Sequence, residues 1–401
     1  MVGALVAYAA LVGCANRDAA LTADDVLRDA VLIDTHIDTP FRIERHGLRD
    51  TRVRPAPRIR CRTRTRGQLA TAFMSIFVPA SVDEAGDGIA LADRLIDHVE
   101  ALAESSQGRA GLVSCVADVY ALKTAGRVGL ALGMENGGPL AADAAAVEHF
   151  ADRGVRYVTL AHGKANAFSD SSYDATRPWG GLSPAGVAMV GRLNALGIMV
   201  DVSHLSDDAF WDVLEASALP VIASHSSVRA LTPGFERNLS DDMIRALAAK
   251  AGVVQINFGS SFISAAARAW QSRFEEVFVR YLADARVTFD SAAARTFRTQ
   301  YLAAHPYPRA DLAVVLDHID HVVSLVGSRH VGLGSDFDGV GDTLPTGIGD
   351  VSMYPNLVQG LIERGYDRRA IKQILGENLL RVWQANEDFA EQQGRTTQCR
   401  T

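Results

Sequence analysis

Eight short apolar runs, separated by longer amphipathic segments, constrain the fold of this chain more than any other feature. The runs are rich in Val, Ile and small residues, and they do not alternate strictly between apolar and polar positions. They lie at 31–35, 70–78, 128–134, 156–161, 198–203, 220–224, 253–258 and 330–335. Such runs indicate strands covered on both faces, as in a parallel sheet. Because helical patterns separate them, they predict an α/β fold, the (β/α)8 TIM barrel, with a doubly wound sheet as the structural alternative.

The segments between the runs carry the signals of helix ends. One predicted helix begins after Ser183 and ends at Gly197, and a second begins after Ser240 and ends at Gly252. Serine is favoured just before the first turn of a helix, and glycine just past the last turn. Residues 89–105 place apolar side chains at three- and four-residue steps, which is typical of an amphipathic helix.

The chain divides into three parts of unequal length. We expect a signal-like segment at 1–20, one (β/α)8 domain at 21–390, and a polar C-terminal tail at 391–401. Residues 259–310 are too long for an ordinary connection within a barrel. We therefore expect them to form helices inserted after the seventh strand.

The first segment is typical of a secretory signal. It is apolar up to Cys14 and then polar, and the apolar part is too short to span a bilayer. The letters LVGC resemble the bacterial lipobox, in which the cysteine is lipidated, although no Lys or Arg precedes the apolar run. We expect export, as a periplasmic protein or as a lipoprotein with its membrane anchor at Cys14. A cytoplasmic location is the alternative if this segment is not a signal.

Charge and cysteine usage narrow the possible partners. The net charge of −7, from 40 basic and 47 acidic residues, gives no reason to expect nucleic acid. The arginine-rich segment 49–66 is predicted to be a solvated loop, or else to contact an anionic membrane or an acidic partner. Cys61, Cys115 and Cys399 match no zinc-binding spacing. In an exported protein, Cys61 and Cys115 are candidates for a disulfide.

Side chains that bind metals follow most of the predicted strands directly. In a barrel, the carboxyl ends of the strands meet at one face, where catalytic groups lie. Four of the 11 histidines of the chain occur just past a predicted strand, together with several carboxylates. The side chains at these strand ends are His36, Asp38, Glu135, His162, His204, His225, Asp336 and Asp338. Packing alone does not explain such a set, because buried charges need partners.

The types of these side chains indicate the class of metal. Imidazole and carboxylate ligands without thiolate suit zinc, manganese, cobalt or iron. Five candidate ligands exceed the need of one ion and suggest two ions that share a carboxylate. The five are His36, Asp38, Glu135, His204 and His225. Glu135 is the natural bridge, a hydroxide between the ions would be the nucleophile, and Asp336 would orient it and pass its proton to the leaving group.

Other common catalytic motifs are missing from the sequence. The chain has no G-x-S-x-G, no P-loop, and no G-x-G-x-x-G after a strand. The glycine-rich stretch GLGSDFDGVGD carries aspartates that would repel a phosphate. These absences favour metal-assisted hydrolysis over serine hydrolase or nucleotide chemistry.

The motifs of the chain resemble those of the membrane (renal) dipeptidase family, zinc dipeptidases of the amidohydrolase superfamily. The resemblance runs from about residue 30 to 385 and rests on IDTHIDTP, GQLATAFMSIFVP, GMENG, RYVTLAH, VDVSHLS, ASHSSVRAL, RNLSDD, GLGSDFDG and GENLLRVW. It implies a (β/α)8 barrel with two zinc ions that hydrolyses dipeptides, including those with a C-terminal D-residue. It assigns His36, Asp38 and Glu135 to the first zinc, and His204 and His225, with Glu135, to the second.

The same resemblance assigns roles to further residues. It implies that His162 contacts the substrate and the oxyanion, that Arg237 binds the substrate carboxylate, and that Asp336 transfers a proton. An arginine fork is the natural bidentate partner of a carboxylate. Asn166, Asp170 and Tyr173, after the fourth strand, are candidates to line the pocket, whereas Asp338 is expected to shape its loop. A homodimer is also expected from the resemblance.

Two other functions remain open at this stage. One is a lactonase or deaminase on the same barrel, although those enzymes usually carry His-x-His on strand one, where this chain has His36 and Asp38. The other is a catalytically silent binding protein, although such a protein would be expected to lose ligands that this chain retains.

Overall fold

The computed structural model describes residues 21–47, 68–396 and 399–400. Eight parallel strands form a nearly closed barrel, which confirms the predicted TIM-barrel fold. In chain order and in barrel order the strands are β1 (Leu32–Ile37), β2 (Leu69–Phe77), β4 (Val128–Glu135), β5 (Val155–Thr159), β6 (Met199–Asp201), β7 (Ile222–Ala223), β8 (Val253–Ile256) and β9 (Val331–Leu333).

The barrel closes between its first and last strands just beyond the end of β9. Ile37 forms a parallel bridge with Phe337. The Asp38 N–H donates to the Phe337 carbonyl at 2.9 Å, and the Asp336 N–H donates to the His36 carbonyl at 3.0 Å. The two aspartate motifs of the sequence are therefore joined directly by backbone hydrogen bonds.

A ninth strand lies outside the barrel order. Strand β3 (Ala110–Leu112) pairs in parallel with the first residues of β4, where Ala110 faces Val128 and Leu112 faces Leu130. The sequence did not predict it, because three residues are too few to show a periodic pattern. Every predicted run, by contrast, overlaps a barrel strand.

The helices cover the outside of the barrel, and two of them also close its amino end. They are α1 (Ala23–Asp29), α2 (Thr39–His46), α3 (Ala80–Glu84), α4 (Gly88–Ser105), α5 (Val116–Thr124), α6 (Ala146–Arg153), α7 (Pro184–Leu196), α8 (Asp207–Ala216), α9 (Asp241–Ala249), α10 (Ser260–Ile263), α11 (Ala265–Ala285), α12 (Ala292–Ala304), α13 (Leu312–Val326), α14 (Tyr354–Glu363), α15 (Arg368–Lys372) and α16 (Asn378–Gln392). Helices α10, α11 and α12 form the predicted insertion after the seventh barrel strand. Within the described ranges, none of the helices combines the length and apolarity needed to cross a membrane.

The helix ends follow the capping signals with one exception. The Ser183 side chain accepts a hydrogen bond from the Gly186 N–H at 2.9 Å, and Gly197 takes the left-handed conformation that ends α7. Helix α9 also begins after its predicted serine, but it ends at Ala249. The predicted end at Gly252 is wrong, because Ala251, with φ of 58°, makes the left-handed turn instead.

The apolar side chains form two separate cores. The larger core lies between the strands and the surrounding helices. The smaller one fills the inside of the barrel at its amino end, where α5 and α16 close it. Inside the barrel, the Trp383 and Phe73 rings lie 5.2 Å apart, and the Phe73 and Tyr157 rings lie 5.4 Å apart. Gly133 makes room for this column, since a Cβ there would lie 2.0 Å from the Tyr157 ring.

The amino end of the barrel carries a disulfide. Cys115, just before α5, is bonded to Cys399, and their Cα atoms are 5.3 Å apart. The suggested pairing of Cys115 with Cys61 is therefore wrong, and Cys61 lies outside the described residues. Glu387 of α16 also accepts a hydrogen bond from the Val116 N–H at 3.0 Å. Residues 1–20, including Cys14, and the arginine-rich 49–66 likewise lie outside the described residues.

Candidate metal centre and active site

Glu135 occupies the middle of the cluster at the carboxyl end of the barrel. It is the last residue of β4 and is buried. One carboxylate oxygen, Oε2, lies 3.3 Å from the His36 Nε2 and accepts a hydrogen bond from Ser75 at 3.0 Å. The other, Oε1, lies 3.0 Å from the His204 Nε2 and 3.3 Å from the His225 Nε2. One oxygen of the carboxylate therefore faces the His36 imidazole, and the other faces the imidazoles of His204 and His225.

His36 is oriented by a tyrosine beneath it. The Tyr157 hydroxyl donates to the Thr35 carbonyl at 3.1 Å, so its oxygen can accept from the His36 Nδ1–H at 2.8 Å. This arrangement directs the other ring nitrogen, Nε2, at the Glu135 and Asp38 carboxylates, the latter at 3.5 Å. Nε2 is buried and has no hydrogen-bond partner among the described residues. A cation bound between these carboxylates would take the place of a proton on this nitrogen.

The surroundings of His36 favour positive charge. Burial lowers the pKa of its imidazole, but Tyr157, Glu135 and Asp38 outweigh burial and raise that pKa well above the usual value. A metal ion would supply the positive charge that this position favours. The His36 Nε2, which has no hydrogen-bond partner among the described residues, and the neighbouring carboxylates of Glu135 and Asp38 together fit a cation site.

His225 is oriented by a second buried relay. The Ser224 hydroxyl donates to Asp201 at 2.6 Å, so its oxygen can accept from the His225 Nδ1–H at 2.7 Å. As with His36, this leaves Nε2 as the nitrogen that points into the cluster. Carboxylates and hydroxyls in this position fix the tautomer of histidines that bind metals.

His204 completes the second group of imidazoles. Its Nε2 lies 2.8 Å from the His225 Nε2, and its backbone has a φ of 69° in the left-handed region. Burial lowers the pKa of both imidazoles well below the usual value. Both rings are therefore neutral at neutral pH, which is the form that binds metals.

Three overlapping groups of side chains converge closely enough to hold ions. Within each group, the candidate ligand atoms all lie within 4.8 Å of one another. The groups are His36, Glu135 and His225; Glu135, His162 and His204; and His36, Asp38 and Asp336. The structure thus brings together the five predicted metal ligands with His162 and Asp336.

Asp336 lies at the edge of the cluster on the loop after β9. It accepts a hydrogen bond from the Asn257 side chain at 2.8 Å, and its φ is 61°. Burial, and then the charge of Asp38, raise the pKa of the Asp336 carboxyl to about 8. A carboxyl group with these properties can hold a proton at neutral pH and is suited to proton transfer.

His162 and Arg237 lie on the open side of the cluster. The His162 side chain is 27% exposed, and its Nε2 is 3.5 Å from the Glu135 Oε1. Arg237 is buried and donates to the Ser226 hydroxyl at 2.6 Å and to the His225 carbonyl at 2.8 Å. Its Nε has no hydrogen-bond partner among the described residues. A buried guanidinium with a free N–H is an anion-binding group.

The remaining predicted residues have mixed positions. The Tyr173 ring lies 5.8 Å from the His204 ring, so it borders the site. Asn166 donates to the Asn136 side chain, next to Glu135, at 2.9 Å. Asp170 faces its own loop, where it accepts from the Gly181 N–H at 3.0 Å. Asp338 bonds Thr39 at 2.7 Å and Arg42 at 3.0 Å, as expected for a residue that shapes its loop.

Comparison with known proteins identifies the family. The profile of the membrane dipeptidase family (Peptidase family M19) matches residues 21–396. The chain belongs to this family. Among curated relatives, the dipeptidase verJ of Clonostachys rogersoniana is 30% identical over 382 residues, which cover 91% of this chain and 86% of that protein. The chain spans little more than half the length of two uncharacterized dipeptidases of Schizosaccharomyces pombe, 53% and 58%.

Solved structures agree with membership of the membrane dipeptidase family. The probable dipeptidase PvdM from Pseudomonas aeruginosa has a TM-score of 0.77 at 27% identity, over 92% of this chain and 98% of that chain. A metallo peptidase from Rhodobacter sphaeroides, liganded with a phosphinate mimic of the dipeptide L-Ala-D-Ala, has a TM-score of 0.69 at 25% identity. This match covers 89% of this chain and 100% of that chain.

Sequence reasoning missed the residues that orient the ligands in this member of the membrane dipeptidase family. Tyr157 and Ser75 lie inside strands, so their runs read as ordinary buried sheet. Asp201 and Ser224 lie at strand ends next to histidines, but their hydrogen bonds to each other cross between neighbouring strands. A rule that every buried imidazole needs a partner on its second nitrogen would have prompted a search for them.

Proposed function

We propose that the protein is a metal-dependent dipeptidase that hydrolyses the peptide bond of dipeptides. One observation carries the proposal. A buried carboxylate, Glu135, presents one oxygen to the His36 imidazole and the other to the His204 and His225 imidazoles, beside the buried guanidinium of Arg237 with its free Nε–H. The first arrangement suits a pair of metal ions, and the second suits the carboxylate at the end of a short peptide.

We infer that two zinc ions occupy the centre. His36, Asp38 and Glu135 would hold one ion, and His204, His225 and Glu135 would hold the other. This division is supported by the distances, since His36 faces one oxygen of Glu135 and both His204 and His225 face the other. When bound, such ions activate water and polarise the scissile carbonyl group. Imidazole and carboxylate ligands suit zinc, although they also accept manganese, cobalt or iron.

The residues around the metal ligands would bind and orient the substrate. Arg237 would receive the C-terminal carboxylate, because its Nε–H has no partner among the described residues and its position beside His225 is fixed by two hydrogen bonds. His162 would donate a hydrogen bond to the oxygen of the scissile carbonyl as negative charge develops there. Asp336, which cations bound in the centre would hold in its ionised form, would take a proton from the attacking water and deliver it to the leaving nitrogen.

We further propose that dipeptides with a C-terminal D-residue are accepted. The Rhodobacter sphaeroides relative binds a mimic of L-Ala-D-Ala, and it supports this proposal at the level of the family only. In this chain the side of the cluster that carries Arg237 is bordered by Tyr173 and Phe235, whose rings are 6.2 Å apart.

The test combines metal analysis with a substrate panel. Protein purified without chelators should contain about two zinc ions per chain and should release amino acids from L-Ala-L-Ala and L-Ala-D-Ala. Chelation should abolish turnover, and added zinc should restore it. Turnover of lactones or nucleobases without turnover of any dipeptide would contradict the proposal.

We also propose that the protein is exported to an oxidising compartment. The disulfide between Cys115 and Cys399 supports this location, because such bonds persist outside reducing cytoplasm. Cell fractionation with periplasmic and cytoplasmic marker enzymes would test it. Recovery of the protein with reduced thiols in the cytoplasmic fraction would contradict export.

A further inference from the structure

Arg268 is a half-buried cation without an acidic partner. It lies in the first turn of α11, in the insertion after the seventh barrel strand. Its guanidinium group lies 4.3 Å above the centre of the Phe235 ring. Within the described part of the chain, no carboxylate forms a salt bridge with it. Glu275, one of the acids on the same helix, accepts instead from Gln271 at 2.8 Å.

The ring beneath Arg268 is connected to the candidate active site. The Phe235 and Phe262 rings lie 5.7 Å apart, and the guanidinium group of Arg237 lies 5.6 Å from the centre of the Phe262 ring. The two arginines therefore lie over adjacent rings of one aromatic pair. The Phe235 ring also lies 6.2 Å from the Tyr173 ring, which lies 5.8 Å from the His204 ring, so Arg268 lies near the mouth of the site.

A cavity beside Arg268 leaves room for a ligand. Its volume is about 320 Å³, and its lining includes Thr232, Phe235, Arg268 and Ser272. An arginine held flat over an aromatic ring keeps its N–H groups free at the edge of the guanidinium plane. The surroundings therefore combine a cation held over an aromatic ring, the hydroxyl group of Ser272 and open space.

We propose that Arg268 forms a subsite for the acidic side chain of a C-terminal Asp or Glu in the substrate. The inference rests on the proposed dipeptidase function, in which Arg237 receives the terminal carboxylate. A C-terminal Asp or Glu whose terminal carboxylate is bound by Arg237 can extend its side-chain carboxylate toward Arg268. This is because the guanidinium groups of Arg237 and Arg268 lie over the two adjacent rings of Phe262 and Phe235. The subsite would make acidic C-terminal residues better substrates than their uncharged amides.

The experiment compares matched substrates and matched variants. Ala-Glu and Ala-Gln differ only in the charge of the C-terminal side chain, and Glu-Ala and Gln-Ala carry the same difference at the other end. The variants are Arg268→Gln and Arg268→Lys, with Arg280→Gln as control, because Arg280 lies on the same helix with its side chain 68% exposed. Binding of uncleavable phosphinate analogues of Ala-Glu and Ala-Gln is measured by calorimetry alongside kcat/KM.

We expect the wild-type protein to prefer Ala-Glu over Ala-Gln by about tenfold in kcat/KM, as for a charge-assisted hydrogen bond at a partly exposed site. Arg268→Gln should remove this preference, Arg268→Lys should retain part of it, and Arg280→Gln should leave it unchanged. The ratio of Glu-Ala to Gln-Ala should not respond to Arg268→Gln. An equal loss for both members of the Ala-Glu pair, or a preference that survives Arg268→Gln, would overturn the subsite.

The two readouts separate the subsite from the proposed function. Dipeptide turnover without an acidic preference would overturn the subsite and leave the dipeptidase proposal intact. Preferential binding of the Ala-Glu analogue that depends on Arg268, without turnover of any dipeptide, would support the subsite and overturn the dipeptidase proposal.

Discussion

Arg237, at the mouth of the barrel, and Arg156, at its amino end, are both buried, but their hydrogen bonds are used differently. Arg156 donates to three backbone carbonyls, those of Ser114, Ala151 and Val155. Arg237 donates two hydrogen bonds, and its Nε lacks a partner among the described residues. Arg156 therefore stabilises the fold by linking backbone segments, whereas Arg237 keeps an N–H available for a ligand.

Other groups at the mouth and at the amino end of the barrel differ in the same way. At the mouth, the buried His36 Nε2 faces the carboxylates of Glu135 and Asp38, whereas at the amino end the buried Trp383 Nε1, which likewise has no partner among the described residues, lies in the column of aromatic rings. At the amino end, α5 and α16 are joined by a hydrogen bond from Val116 to Glu387 and by a disulfide. Unsatisfied buried groups cost stability unless a ligand completes them. We therefore expect substitutions of the candidate ligands and substrate-binding groups at the mouth to change metal binding and turnover, and substitutions that break the links at the amino end to change stability.

The largest expected effect comes from Asp336→Asn. This change should lower kcat/KM for a dipeptide by about 10³-fold, or about 4 kcal/mol, because the amide cannot carry the proton. The melting temperature of the metal-free protein should hardly change, because burial already favours the uncharged form of Asp336.

Asp338→Asn is the matched control for Asp336→Asn. Asp338 belongs to the same motif but pairs with Thr39 and Arg42. It should lower the free energy of unfolding by about 1 kcal/mol and leave kcat/KM within a few fold. A greater loss of turnover in Asp338→Asn than in Asp336→Asn would reverse the two assignments.

At the amino end, Cys399→Ser should reduce stability without reducing activity. Loss of the disulfide, which joins residues 284 positions apart, should lower the free energy of unfolding by about 3 kcal/mol. Urea unfolding with and without reductant measures this change. Reductant should destabilise the wild-type protein to the same extent and leave the variant unaffected. A tenfold loss of kcat/KM in Cys399→Ser would contradict the separation of the two ends.

His318 connects two mouth segments without taking part in the chemistry, and it should make stability depend on pH. It accepts from the Val228 N–H at 3.0 Å and faces the Ile263 carbonyl at 2.9 Å. Burial lowers its pKa from the usual 6.5 to about 4. As pH falls below 6.5, the unfolded chain gains a proton that the folded protein does not, so stability is lost until pH reaches about 4.

The measurement for His318 is the free energy of unfolding at pH 7 and pH 5. The wild-type protein should lose about 2 kcal/mol from this group over that interval. His318→Gln should show a decrease smaller by that amount. His149→Gln, at a histidine whose side chain is 45% exposed, is the control. Equal pH dependence in the wild-type protein and His318→Gln would refute the assignment.

The smallest expected effect concerns Tyr157, which orients His36 from below. Tyr157→Phe removes the acceptor for the His36 Nδ1–H and should weaken metal binding by about tenfold, or about 1.4 kcal/mol. Tyr354→Phe is the control, because the Tyr354 hydroxyl bonds Asp34 at 2.7 Å rather than a candidate ligand. Competition with a zinc indicator measures the affinity. An equal loss in both variants would mean that Tyr157 acts through general packing.

The sequence predicted the barrel well because each of its eight strands needs an apolar run. Even β7, which is reduced to Ile222 and Ala223, lies within a predicted run. The sequence also predicted which side chains meet at the site, because a barrel brings the carboxyl ends of its strands together regardless of the conformation of the loops. His36, Glu135, His204 and His225 meet for this reason.

Contacts between distant segments could not be predicted from the same patterns. The partner of Cys115 depends on where the chain beyond α16 lies, and sequence spacing does not record it. Tyr157 gave no signal because an inward tyrosine in a strand resembles any other core residue. The position of Arg237 beside the cluster was expected only from the resemblance to a family, because an arginine in a loop has no periodic pattern.

The column of Trp383, Phe73 and Tyr157 has a consequence for traffic through the molecule. Because these rings fill the barrel beneath the cluster, the described residues leave no passage through the barrel from the site to the other end. Substrate must therefore enter, and products must leave, through the same opening at the carboxyl end of the barrel. Departing products and arriving substrate compete for that opening. In the proposed hydrolysis both released amino acids carry a carboxylate, and the one from the C-terminal position, bound at Arg237, would have to leave before the next substrate could bind there.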